Sequence, residues 1–335
     1  MRSTRPGAEA AASDFAPALA AIGAFALGWL VLAWPWLSGR YTIPWDAKAQ
    51  FQPQIQFLAQ AIARGENPFW NPYVFSGYPQ VADPQSMIFS PPFLLLAALN
   101  AKPSLWAVDA TVFAAILVSG LALIVWCRDE GWHWVGATVA ALAFGFGAAM
   151  AWRIQHTGQV LSMAMLPVTL LLLDRALVRA SWRYGLAAGV VGAFMVLGRD
   201  QVALLSVYLL VGYVVWRIVC APDQGGELRR CTVPLVVGSM VGLAIIALPV
   251  ILTAAITAQS NRPDIDIFSA GRGSLHPALG LTLFVPDIFG ASGRSWDYWG
   301  PSGSTGTRSG RSPRRTSCIS LRTWASSIWV RSRPF

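Results

Sequence analysis

The 335-residue chain is 55% hydrophobic and only 12% charged, with a mean hydropathy of +0.49. Soluble domains carry about a quarter charged residues, so the composition argues against a soluble protein and for a membrane one. The formal charge of +9 sits mostly on arginines in short gaps between apolar runs, and no nucleic-acid-binding motif accompanies it. Topology, not nucleic acid, is the expected reason for that charge.

From the start of the chain, Arg2 and Arg5 precede the apolar run Pro17–Leu37. That run is too long for the core of a cleavable signal and lacks a small-residue cleavage site, so it reads as a retained first span with a cytoplasmic N-terminus. Six more runs follow: Ser104–Trp126, Val135–Trp152, Gln159–Leu173, Gly185–Gly198, Gln201–Val219 and Val233–Ala258. A spanning helix needs about 20 apolar residues, which makes Gly185–Gly198 a short one. With Gln201–Val219 it predicts a tight hairpin turned at Arg199 and Asp200.

With the N-terminus inside, the cytoplasmic loops hold Arg128, then Arg175, Arg179 and Arg183, then Arg217, Arg229 and Arg230. The short outer loops hold only Arg153 and Arg199. That asymmetry obeys the positive-inside rule, and deleting the short run would invert it. The expected fold class is therefore all-α: a polytopic transmembrane bundle of about seven spans. Cys127, Cys220 and Cys231 fall at cytoplasmic ends and, with Cys318, show no paired spacing; they read as small apolar filler.

The first outer loop, about 38–103, is too long for a connector. In it, Ile55, Leu58 and Ile62 recur at helical spacing between Pro53, suited to a first turn, and Gly65, suited to a stop. This predicts an amphipathic helix over Gln52–Arg64, lying on the membrane surface. A turn-rich aromatic stretch, Asn67–Tyr73, and the turn Gly77-Tyr78-Pro79 follow. Pro91 and Pro92 open a short run, Phe93–Leu99, that dips into the interface. A second long outer segment begins at Gln259. From 301 to 335 the chain is rich in Ser and Arg, has no acidic residue and shows no periodicity. It is expected to be disordered, and its composition suggests a frameshifted reading.

Ionisable groups near membrane depth are the candidates for chemistry. Asp46 stands just beyond the first span, ahead of the helix expected from Gln52, in a free turn rather than at a helix cap. Asp83, in Asp83-Pro84, suits a turn but shares the loop with Asp46. His156 lies in the short outer loop beside Arg153, whose guanidinium suits a phosphate. Arg199 and Asp200 suit either a phosphate or each other. His276, Asp287 and Asp297 fit no metal spacing, and no phosphate loop, nucleophile elbow or zinc-protease motif occurs.

The string Asp46…Pro53…Gly65-Glu66-Asn67-Pro68-Phe69-Trp70-Asn71-Pro72-Tyr73…Gly77-Tyr78-Pro79…Ala82-Asp83-Pro84-Gln85…Ser90-Pro91-Pro92 resembles the first outer loop of YfhO-like bacterial membrane proteins. His156 with Gln159, and Phe284-Val285-Pro286-Asp287-Ile288-Phe289-Gly290, resemble later pieces of that family. The family is similar to GT-C membrane glycosyltransferases, which use a polyprenyl-phosphate sugar donor and an acidic residue of the first outer loop. The resemblance implies a GT-C-like domain over 1–300, as the N-terminal portion of a longer protein, in the bacterial inner membrane. It implies a sugar transferred to a cell-envelope glycan or polymer at the outer face. Asp46 matches the loop carboxylate, a general base or metal-associated residue, and Asp83 a second acidic position; these are the catalytic candidates. Arg153, His156, Gln159, Arg199, Trp70 and Asn71 are the substrate-binding candidates. No cofactor follows, although a divalent metal ion is compatible with the family. The rival readings are a transporter or flippase, disfavoured by few mid-span charges (Asp109 is nearest) and no internal repeat, and an inactive fragment.

Overall fold

The computed structural model describes residues 15–83, 85–198, 200–259, 276–285, 288–290 and 299–301. The chain divides into two compact units, Met1–Ala258 and Gln259–Phe335. The described residues are helices and turns; the one β-type pairing among them is an isolated bridge between Asn71 and Tyr78.

Helix α1 (Phe15–Leu37) leads into an irregular stretch, then a π-helical turn (Ala47–Phe51) and α2 (Gln52–Arg64). α2 has the bounds read from the sequence. Proline occupies its first turn, and Gly65 ends it in the left-handed region at φ 68°, which glycine adopts without steric cost. Its apolar side is covered by protein: Leu58 and Ala59 pack with Ile88 and with Ala97 of α3 (Pro91–Leu99). Ile62, read as part of that stripe, faces outward. Burying one turn of α2 against α3 outweighs leaving both stripes to the interface, because apolar area removed from water stabilises by about 25 cal/mol per Å².

The long helices are α4 (Leu105–Asp129), α5 (Trp134–Phe146) with its continuation α6 (Ala148–Arg153), α7 (Thr157–Arg179), α8 (Trp182–Val196), α9 (Gln201–Val219) and α10 (Gln224–Ala258). Among the described residues six helices are long and apolar enough to cross a membrane: α1, α4, α5 with α6, α7, α9 and α10. α8 is a 15-residue apolar helix, about 22 Å long against a hydrocarbon core of about 30 Å. The run expected over Val135–Trp152 is interrupted at Gly147, which sits in extended backbone at ψ 170°. α10 starts nine residues before Val233. Hydropathy ends where charge begins, but Glu227, Leu228, Arg229 and Arg230 are good helix formers, so the backbone spiral continues through them.

Packing follows small residues and a few large anchors. Phe25 of α1 is fully buried with Ile124 and Cys127 of α4 and Ala137 and Ala141 of α5, and its ring fills the space a side chain at Gly120 would need. Leu170 of α7, Met195 of α8 and Leu210 of α9 form a second cluster. α8 meets α10 backbone to backbone through Gly185 and Gly189 against Pro234 and Gly238, the small-residue contact that lets membrane helices approach closely.

At the bundle end away from residues 38–103, the arginines are paired as well as clustered. Arg175 Nε meets Asp129 Oδ2 at 2.7 Å, and Arg217 lies 3.5 Å from Glu130 and 3.4 Å from Asp174. The Tyr213 hydroxyl donates to Asp174 at 2.7 Å, and Arg230 donates to the carbonyls of Leu177 and Val178. The sequence reading treated these arginines as topological markers; the structure gives them the additional work of tying α4, α7, α9 and α10 together.

In the second unit, a 3-10 turn (Pro277–Leu283) follows His276, whose Nδ1 accepts from Ala278 N–H. Trp299 N–H donates to the Phe289 carbonyl at 3.0 Å, and the two rings meet edge to face. Pro286, Asp287, Asp297 and the segment 302–335 expected to be disordered lie outside the described residues.

Candidate functional site

The stretch between α1 and the π-helical turn has no regular structure and is held by α4. Asp109 of α4, buried, accepts from Thr42 Oγ1 at 2.8 Å and from the Ile43 N–H at 3.0 Å. Trp106 Nε1 donates to the Leu37 carbonyl at 2.9 Å, and Gln52 Nε2 to the Pro103 carbonyl at 3.1 Å. A carboxylate so deep is costly unless its oxygens are bonded. Here both bonds pin the segment that leads to Asp46. The sequence marked Asp109 only as the nearest mid-span charge.

Asp46 lies between two uncommon backbone features. Trp45 before it adopts φ 58°, a left-handed conformation that costs a non-glycine residue about 1 kcal/mol or more. The π-helical turn follows it immediately; such turns are rare and concentrate at functional sites. Asp46, expected in a free turn, instead has helical backbone (φ −59°, ψ −35°) at the cap position of that turn, although its side chain makes no capping bond. Instead its Oδ2 lies 3.0 Å from His156 Nδ1, with the side chains 48% and 33% exposed, so the pair is reachable from solvent.

His156 comes from the short link between α6 and α7. Its own backbone is fixed on both sides: its N–H donates to the Arg153 carbonyl at 2.7 Å, and its carbonyl accepts from Val160 N–H at 3.1 Å. Arg153 Nη1 donates to Gln159 Oε1 at 2.8 Å. Thus Asp46, Arg153, His156 and Gln159 gather at one end of the bundle, joined in two bonded pairs. Thr157 beside them is fully buried, and its hydroxyl meets no partner among the described residues.

Asp83 belongs to a different arrangement. Its Oδ1 accepts from Gln85 N–H at 2.9 Å, and its carboxylate takes the Tyr78 hydroxyl. Burial, together with the Asp83 charge and that hydrogen bond, pushes the Tyr78 phenol up to about 12, so it stays a donor. Asp83 also lines a small cleft of mixed character, with Ser86, Ser90 and Ser162 beside Met87, Leu161 and Phe194. Ser90, Leu161 and Phe194 are shared with an apolar groove of about 470 Å³ between α3, α4 and α7. Leu95, Leu99 and Val118 form exposed parts of its walls. A mixed cleft that shares walls with an apolar groove suits an amphiphile.

Other candidates have local duties. Asn71 is buried, pairs its backbone with Tyr78, and accepts from Tyr73 N–H through its side chain at 3.0 Å. The exposed Trp70 ring lies across Gly77, which sits at φ 119° with no room for a Cβ. Asp200 caps α9 by accepting from Ala203 N–H at 2.8 Å and takes the Ser162 hydroxyl at 3.1 Å. Ser162, unnoticed in the sequence because an isolated serine in an apolar run carries no signal, thereby ties α7 to α9. Arg199, named as a phosphate ligand, lies outside the described residues.

Among the described residues no three His, Cys, Asp or Glu side chains converge. Asp46 Oδ2 and His156 Nδ1 face each other.

Comparison with protein-family models, with curated proteins and with solved structures finds no match to this chain.

Proposed function

We propose that the chain is a membrane glycosyltransferase of GT-C-like type, as its YfhO-like first loop implies. It moves a sugar from a polyprenyl-phosphate donor to a cell-envelope glycan or polymer. The observation that carries this reading is the Asp46–His156 pair at the head of α7, a helix that also lines a small cleft sharing wall residues with an apolar groove. Gly158, two residues beyond His156, lines that cleft. An isoprenoid enters the groove sideways from the bilayer, and its phosphate and sugar are left at the cleft. Arg153 supplies the cationic fork for the phosphate, reoriented from Gln159. The carboxylate–imidazole pair takes the proton of the attacking hydroxyl.

Binding of a C55 polyprenyl phosphate to the purified chain in nanodiscs tests the donor class. Measurable affinity, falling about tenfold in Arg153→Gln, is the expected result, since one charge-assisted bond contributes about 1.5–3 kcal/mol. Equal affinity in the variant removes Arg153 from the site, and no binding by either protein removes the donor.

In this reading residues 38–103 and His156 face outward, and Arg179 and Arg229 face the cytoplasm of a bacterium, with seven spans. The arginine bias supports that orientation. Single cysteines at 64 and 179 in a Cys-free background check it with an impermeant thiol reagent on intact cells. Position 64 is expected to label and 179 not; the reverse pattern inverts the topology.

A further inference from the structure

The Asp46–His156 contact assigns roles within the pair. A carboxylate at neutral pH accepts hydrogen bonds and donates none. With Asp46 Oδ2 3.0 Å from Nδ1, the hydrogen of a neutral His156 ring resides on Nδ1. The basic lone pair is then on Nε2, on the far side of the ring from Asp46. The imidazole carries its backbone on two hydrogen bonds, to the Arg153 carbonyl and from Val160 N–H. The carboxylate is delivered by a segment clamped at Thr42 and Ile43. Both halves of the pair are thus set in place before any substrate arrives.

We propose that His156 Nε2 is the atom that accepts the proton, and that Asp46 is a positioning residue that fixes the ring's tautomer and orientation and balances the imidazolium charge. This rests on the sugar-transfer reading of the same site. The acceptor hydroxyl gives its proton to Nε2 as its oxygen bonds to the anomeric carbon. The bond from that carbon to the phosphate oxygen breaks, and its electron pair leaves with the polyprenyl phosphate. Nε2 later returns the proton to water, so nothing is oxidised or reduced. A carboxylate hydrogen-bonded to the ring fixes its tautomer and orientation for transfer. Arg153, the charged neighbour in the same link, donates to Gln159.

The test has two arms. The chain holds three histidines, His133, His156 and His276. Nitrogen-15 NMR of histidine-labelled protein in nanodiscs, with His156→Gln to assign the signal, reads the tautomer at about pH 8.5, where an ordinary imidazole is neutral. His156 is expected in the Nδ1–H form and to lose that preference in Asp46→Ala, while the other two signals stay put. An Nε2–H form in the unaltered protein overturns the proposal, because that nitrogen then has no lone pair to offer. The second arm follows transfer from polyprenyl phosphate-linked glucose. His156→Gln is expected to lose about a hundredfold or more, and more than Asp46→Asn, whose amide oxygen still accepts from Nδ1–H. The opposite order, with Asp46→Asn inactive and His156→Gln near normal, overturns the assignment and leaves the transferase reading standing. Absence of transfer by the unaltered chain overturns both and is recognised by that silence.

Discussion

Replacing Asp46 by Asn is expected to lower sugar transfer by about ten- to a hundredfold, less than His156→Gln, while leaving expression and thermal stability near normal. The substitution keeps size and one acceptor oxygen but removes the charge that supports an imidazolium at His156. Little stability should be lost. The pair is partly exposed, the side chain caps no helix, and exposed ion pairs contribute about 1 kcal/mol or less. The segment leading to it is pinned by the Thr42 and Ile43 bonds to Asp109, not by the side chain at 46. Transfer from polyprenyl phosphate-linked glucose, normalised to folded protein, is the measurement. Near-normal turnover by a stably folded Asn variant would remove Asp46 from the mechanism.

The largest expected loss of stability comes from the α8–α10 contact. A Cβ on Gly189 would overlap the Gly238 carbonyl group, and one on Gly185 would overlap that of Pro234. Gly238 meets the Gly185 carbonyl in return, and Gly242 the Gly189 carbonyl. These obstacles are backbone atoms, which cannot rotate away as a side-chain tip does. Gly189→Val therefore forces the helices apart along this seam, at a cost of about 3 kcal/mol, the upper part of the range for overpacking a dense interior. Gly212 of α9 has open space around it. Gly212→Ala is the control, expected to be neutral or stabilising by up to about 1 kcal/mol because it removes backbone freedom from the unfolded chain. Thermal unfolding in one detergent, followed by a binding-independent probe, compares the two. Equal melting of both variants would show that α8 and α10 do not depend on this contact.

Much of the architecture was legible because its signals are local. The bounds of Gln52–Arg64 follow from Pro53, Gly65 and a three-four apolar spacing, and those of Gln201–Val219 from a clean apolar run after the hairpin turn at Arg199 and Asp200. Where the reading erred, hydropathy was asked to report backbone. It does not feel the break at Gly147, where apolar residues continue on both sides, nor the helical continuation from Val233 back to Gln224, where they stop. The Gly185, Gly189, Gly238 and Gly242 spacing was present in the sequence as a small-residue pattern but says nothing of its partner until the helices are placed.

The site was legible as a set of residues and not as an arrangement. Asp46 and His156 stood out because charge near membrane depth is expensive, yet 110 positions separate them and no local rule pairs them. Asp83 and Asp46 share a loop in sequence, while the fold gives Asp83 to Tyr78 and the Gln85 turn. The Asp109 clamp and the Ser162–Asp200 link were invisible for the same reason: each joins a helix to a segment distant in sequence, and its meaning lies in that segment.

The most direct test of the account is turnover of the lipid donor. The purified chain in nanodiscs is supplied with polyprenyl phosphate-linked radiolabelled glucose and a cell-envelope glycan, and label on the glycan is counted against free polyprenyl phosphate. The account predicts equal amounts of transferred sugar and released lipid phosphate, both lowered about ten- to a hundredfold in Asp46→Asn and further in His156→Gln. Lipid donor that remains intact beside a folded, donor-binding chain would contradict it.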